Sequence, residues 1–303
     1  MNHGWYVILF FLFPPPPRPN SPPLPLPSSY SSSHQMGMAT AEAVVRAGLT
    51  LVPYTLSGRS KGVAVGKLAV NGIPVETVPA DERQSALEQI RRDYPGLVVI
   101  DYTLPSAVNA NAEFYMANEL PFVMGTTGGD RDKLIADTLN ANHYAVIAPQ
   151  MGKQIVAFQA MMEFMGDSFP GVFQGYNLEV IESHQVTKVD ASGTAKAVLG
   201  SFRKMGGSPA EEKDIIKIRD ENQQLEMGVP AENLTGHAYH TYRLTSGDGS
   251  VTFEFQHNVR GRRVYAEGTV DAAIFLSKQV QAKADQRLYN MVDVLKAGAM
   301  RDI

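Results

Sequence analysis

The feature that most constrains this chain is a run of apolar strand-like segments, each followed by a helical one. "LVVIDYTL" (Leu97 to Leu104) is continuously apolar for its first four residues, as a parallel strand covered on both faces must be. "PSAVNANAEFYMANE" follows as a helix with proline near its start. "LPFVMGTTGG" is then a strand ending in a glycine-rich loop, "DRDKLIADTLN" a helix and "YAVIAPQMG" another strand. Upstream, "MGMATAEAVVRAG" predicts a helix ending at Gly48, and "LTLVPYTL" the next strand. Such alternation specifies an α/β fold with a doubly wound parallel sheet.

The texture changes at Lys153. "KQIVAFQAMMEFMGDSF" predicts a helix, "NLEVIESH" a strand, and "GHAYHTYRLTS" and "SVTFEFQHNV" two strands joined by the hairpin turn "SGDGS". The expected organisation is a doubly wound domain over 34–152 and 262–303, with a mixed α+β domain inserted over 153–261. "TVDAAIFLSKQVQAKADQRLYNMVDVLKAG" predicts one long helical stretch packing back on the first domain. Residues 1–33 are expected to stand outside the fold. "WYVILFFLF" is too short to span a bilayer, and the proline- and serine-rich stretch after it predicts an extended, disordered, targeting or misjoined segment.

Composition narrows the chemistry. At 303 residues, 44% hydrophobic and 19% charged, the chain is of ordinary globular make-up. A net charge of -4 with no basic cluster argues against nucleic acid. With no cysteine, disulfides, thiolate metal sites and cysteine nucleophiles are excluded. His237 and His240, three apart on a strand, point to opposite faces and are not a metal pair, so no metal site is expected.

In a doubly wound sheet, ligands bind beyond the C-terminal strand ends. Three loops fall there: "DYTLPS" with Thr103, "GTTGG" with Gly125, Thr126 and Thr127, and "APQMGK" with Pro149 and Gln150. In "IESHQVTKVDASGTAKAV", Ser192 sits at an N-cap position. The N–H groups of Gly193 and Thr194 then offer an anion site at the helix start. His184 can donate a proton near neutral pH, and Lys188 can pair with a carboxylate. The implied ligand is a small carboxylate that gains a proton during reaction.

"ESHQVTKVDASGTAKA", "FVMGTTGG", "VVIDYTLP", "APQMGKQ", "FEFQHNV" and "YAEGTVDAA" together resemble the plant-type 4-hydroxy-tetrahydrodipicolinate reductase family, from about Gln35 to Arg301. The resemblance implies a Rossmann-like dinucleotide-binding domain and a substrate-binding, oligomerising domain, in a homotetramer of the chloroplast stroma. It implies His184 as general acid and Lys188 as its partner. Ser192, Gly193 and Thr194 would bind a substrate carboxylate, and Gly125, Thr126 and Thr127 would lie beside the nicotinamide. Gln185 stands where many bacterial members have a second histidine. The implied reaction is reduction of a cyclic dicarboxylate by NAD(P)H in the diaminopimelate route to lysine. After "LVPYTL", the loop "SGRSKG" has no acid to bind a ribose 2′-hydroxyl. Arg59 and Lys61 there favour the 2′-phosphate of NADPH over NADH. One departure stands out. The family's G-x-x-G-x-M-G loop survives only as Met36 and Gly37, with Ser31 and His34 at the first two glycines and "LPLPSSY" in place of the strand. A catalytically inactive, reductase-like chloroplast assembly factor is therefore the alternative.

Overall fold

The computed structural model describes residues 7–11, 32–58, 68–209, 211–298 and 300–301. In chain order, β1 is Val7–Phe11, α1 Ser32–Arg46, β2 Thr50–Leu56, β3 Leu68–Val70, β4 Ile73–Val78 and α2 Arg83–Asp93. Then come β5 Val98–Asp101, α3 Val108–Ala117, β6 Phe122–Met124, α4 Arg131–Asn140 and β7 Ala145–Ile147. The middle of the chain forms α5 Lys153–Ser168, β8 Asn177–His184, α6 Gly193–Lys204, β9 Ile216–Ile218, α7 Glu221–Glu226, β10 His237–Thr245 and β11 Thr252–Arg260. It ends with α8 Arg263–Gln281, β12 Leu288–Tyr289 and α9 Met291–Lys296. Two compact units result: Met1–Gly152 with Tyr265–Ile303, and Lys153–Val264.

The first unit holds an eight-stranded sheet in the order β12-β7-β6-β5-β1-β2-β4-β3. Strands β5, β6, β7 and β12 run parallel, as do β2 and β4. All residues of β5, β6 and β7 are buried, which is why their sequences lack the alternation of a half-exposed strand. Helices enter through local caps. Asp130 accepts the Lys133 N–H at 3.0 Å to start α4, and Asn290 with Asp293 forms a capping box on α9.

Two expectations are corrected. Residues 1–33 do not all stand outside the fold, because Val7–Phe11 is an interior strand of the sheet, between β5 and β2, and α1 begins at Ser32. It pairs antiparallel with both β2 and β5, so these two neighbours run parallel to each other. The reason is backbone hydrogen bonding: the facing edges of β2 and β5 need partners, and an apolar extended run supplies them in either direction. Its register with β2 shifts between Ile8 and Phe10, across from the segment containing Pro53, which has no N–H to give. The long C-terminal helix is also not continuous. Lys283 adopts φ 51° after α8, and the chain then adds β12 alongside β7 before α9.

The second unit is a four-stranded sheet, β11-β10-β8-β9, antiparallel except for β8 with β9. Helices α5 and α6 pack on one face through Met162, Leu178, Val180, Phe202, Tyr242 and Leu244. Register makes this face a ladder. Leu178 faces Leu244, Val180 faces Tyr242 and Glu182 faces His240, while Tyr242 faces Phe255 and His240 faces His257. The first rungs are apolar; the next is Glu182, His240 and His257, and the one after it carries His184 opposite Ala238. That change positions the candidate site.

Candidate active site

His184 lies two residues beyond Glu182 on β8 and therefore shares its face. Its Nε2 is 3.3 Å from His240 Nε2 and 4.0 Å from Glu182 Oε2, and His240 Nε2 is 3.9 Å from the same oxygen. All three side chains are buried. Glu182 is also bound from two other directions. Arg219 donates to Oε1, and the Ser192 N–H donates to Oε2 at 2.7 Å. The Arg219 Nε donates to the Lys188 carbonyl at 2.6 Å, and Gln224 donates to the His184 carbonyl at 2.8 Å. One carboxylate and one guanidinium thus fix the loop that carries Lys188 and delivers the chain to α6.

Ser192 caps α6 as its sequence position predicts, its Oγ accepting the Thr194 N–H at 3.2 Å. A Cβ at Gly193 would meet nothing within 4 Å, and Gly193 is exposed, so its backbone is open to close approach. Gln185 and Lys188 are half-buried in the intervening loop. Burial, with Lys188, Arg219 and His237 nearby, pushes the His184 imidazolium down to about 3. Burial, with His257, His184, Arg219 and Lys188, moves His240 well below its ordinary range, and burial lowers His257 to about 4. His237 lies on the opposite face of β10. Its Nδ1 donates to the Asn233 carbonyl at 3.1 Å, and its Nε2 accepts from Ser183 at 2.7 Å.

Glu182, His184 and His240 place ligand atoms within 4.8 Å of one another. Within the trio only the two imidazoles are in hydrogen-bond range, and the Glu182 carboxylate is already committed to Arg219 and the Ser192 amide.

In the first unit, the loops after β5, β6 and β7 share one sheet edge because the strands are parallel. Asp101 accepts both the N–H and the hydroxyl of Thr103, at 2.7 and 2.6 Å, and is itself held by Asn111 and Tyr115. Thr126 donates to the Thr103 carbonyl at 3.0 Å, tying two of the loops together. A Cβ at Gly125 would lie 2.4 Å from the Tyr102 ring, so any side chain there must displace that ring. Thr127 and Gly128 are exposed, and their N–H groups take no partner among the described residues. These amides fit a carboxamide such as that of nicotinamide. Pro149 is exposed, while Gln150 folds back to accept the Gly152 N–H at 2.9 Å.

Gly37, expected in a phosphate-binding loop, instead lies within α1, where it lines an apolar cavity with Met38 and Val52. The inverted β1 explains this. It ends at Phe11 opposite Thr50, at the start of β2, so it does not lead directly into α1. Arg59 and Lys61 lie outside the described residues, as do residues 12–31. No described helix is long and apolar enough to cross a membrane.

Glu182, Arg219, His240 and His257 were not legible as site residues. A usable signal existed for one pair, because a turn centred on "SGDGS" sets His240 opposite His257. The pairing of β8 with β10 has no such local cue.

A doubly wound sheet with loops suited to nicotinamide, and a second unit holding an imidazole, an ammonium group and a capped helix start, define an oxidoreductase of the nicotinamide-dinucleotide class. Sequence comparison makes this specific. The family models described as dihydrodipicolinate reductase, N-terminus and C-terminus match residues 33–151 and 154–295. The chain is 54% identical over 272 residues to a probable 4-hydroxy-tetrahydrodipicolinate reductase 1, chloroplastic, of Oryza sativa, covering 89% of this chain and 78% of the relative. It is 53% identical to the Arabidopsis thaliana chloroplastic reductase 1, covering 89% and 77%. The solved dipicolinate-bound dihydrodipicolinate reductase of Paenisporosarcina shares the fold, with TM-score 0.57 and 18% identity over 84% of this chain and 93% of that one. The chain belongs to the 4-hydroxy-tetrahydrodipicolinate reductase family.

Proposed function

We propose that His184 and Lys188 carry the proton chemistry of the family's reaction, the reduction of 4-hydroxy-tetrahydrodipicolinate with loss of water. When bound, a reduced nicotinamide dinucleotide supplies the hydride. Thr103, Gly125, Thr126, Thr127, Pro149 and Gln150 would hold its nicotinamide end, and Arg59 would favour NADPH over NADH. On the second unit, the start of α6 at Ser192, Gly193 and Thr194 would bind one carboxylate of the substrate, helped by the helix dipole. Lys188 would offset one negative charge of the dicarboxylate, with Gln185 beside it. Hydride addition to a conjugated ring leaves negative charge there, and His184 would quench it with a proton.

The observation that carries this reading is the Glu182 carboxylate, 4.0 Å from the His184 ring and 2.7 Å from the Ser192 amide. It joins the acid and the anion site into one unit. The four plant relatives are chloroplastic, and this chain works in the chloroplast. The assembly-factor alternative draws no support from the relatives reported above. A homotetramer is retained as part of the proposal and is read by analytical ultracentrifugation. Turnover of freshly generated substrate with NADPH, followed by loss of nicotinamide absorbance, tests the activity. Absence of turnover together with absence of NADPH binding by calorimetry would overturn it.

A further inference from the structure

The two buried imidazoles at the end of the ladder hold one proton between them, and the arrangement says where it sits. His240 Nδ1 is buried and has no partner among the described residues. A buried N–H without an acceptor costs more than a bare lone pair relieved of nothing but weak solvation, so the ring proton of His240 belongs on Nε2. From there it faces His184 Nε2 at 3.3 Å, which must accept, leaving the His184 proton on Nδ1. The ring of the acid is thereby oriented, and its Nε2 cannot also carry a proton while His240 keeps this tautomer.

The charges around the pair oppose protonation of the ligand-free site. Glu182 faces it from β8, Lys188 from the following loop, Arg219 from just beyond β9 and His257 from β11, stacked on His240 at 4.6 Å, while His237 acts only from the opposite face of β10. With the histidines neutral, two cations stand against one anion. A substrate dicarboxylate adds two negative charges and reverses that balance.

We propose that His240 is the positioning residue of His184, and that binding of the dicarboxylate loads one proton from solvent onto the His184–His240 pair. His184 Nε2 can take the shared proton from His240 Nε2 only if His240 takes another, so the incoming proton settles on His240 Nδ1. The unpartnered N–H this creates is the cost that keeps the ligand-free pair neutral and that the charge of the dicarboxylate offsets. The pair gains a single positive charge, and no other bond changes. His184 is then charged as an acid only when there is a substrate to receive the proton. The low acid range of both rings accords with a ligand-free pair that is neutral. This inference rests on the assignment of the site to a dicarboxylate.

Calorimetry of the purified chain with pyridine-2,6-dicarboxylate, at neutral pH in buffers of different ionisation enthalpy, reads the protons taken up per ligand. The expected uptake approaches roughly one proton, and close to none for His184→Gln, which still binds. In turnover, His240→Phe should lower kcat roughly tenfold or more with little change in KM and shift the acid limb of the pH profile. His240→Gln, whose amide again donates to Nε2, should restore part of kcat. Binding without proton uptake by the unaltered chain would overturn the inference alone. So would an unchanged kcat and pH profile in His240→Phe. No binding of the dicarboxylate would overturn both this inference and the site assignment beneath it.

Discussion

The backbone N–H of Ser192 donates to Glu182 Oε2 at 2.7 Å, closing a ten-residue loop through a side chain that is wholly buried. Glu182 sits next to the end of a sheet face, one rung before His184, and Ser192 starts a helix packed on that face. Arg219 neutralises the carboxylate and binds the Lys188 carbonyl, so the geometry of both proposed proton-handling groups depends on one ion pair.

Glu182→Gln leaves the Arg219 guanidinium facing a neutral amide. Breaking a buried pair from one side costs about 3–5 kcal/mol, and the lower end is expected because Arg219 is partly exposed. The urea midpoint should fall accordingly, and KM for the dicarboxylate should rise as the loop loosens. Wild-type values of both would show that the pair does not hold the loop.

His184→Gln and Lys188→Met should separate the two roles. Loss of the proton donor should lower kcat by about 10²–10⁴ while dicarboxylate binding persists. Loss of the ammonium group should weaken dicarboxylate binding first. Steady-state kinetics with calorimetry distinguish these outcomes, and full turnover in His184→Gln would remove it as the acid.

Two glycine substitutions probe close approach in opposite ways. In Gly125→Ala, the new methyl would meet the Tyr102 ring at 2.4 Å and strain the 2.6 Å bond between Tyr102 and Thr269. Thermal unfolding should show a loss of about 1–3 kcal/mol, with weakened coenzyme binding. Gly193→Ala has open space around the new methyl, so stability should hold while KM for the dicarboxylate rises.

Acid should destabilise the second unit early. The folded-state values of His184 and His257, about 3 and about 4, lie below the unfolded value of about 6.5, and His240 is lowered as well. The unfolded chain therefore binds more protons in this interval. Stability present above about pH 6.5 is lost as pH falls toward 4. Urea midpoints measured across that window should decline, and less steeply in His240→Phe. A flat profile would show that these rings are not held neutral.

Arg59→Ala should raise KM for NADPH and leave KM for NADH nearly unchanged, because only the former carries a 2′-phosphate. Equal effects on both coenzymes would place the guanidinium elsewhere.

The sequence by itself determined what depends on near neighbours in the chain. Continuous apolar runs made β5, β6 and β7 buried parallel strands, Ser192 made the cap of α6, and "SGDGS" set His240 against His257. Tertiary structure alone decided the rest. Which strand pairs with β8 brings His240 to His184, fifty-six residues away, and Arg219 to Glu182, thirty-seven away. Val7–Phe11 enters the sheet because β2 and β5 leave edges to be paired, a demand no local stretch announces. The common reason is physical: caps and turns are settled by hydrogen bonds within a few residues, whereas strand partners are chosen by what the whole core leaves unsatisfied.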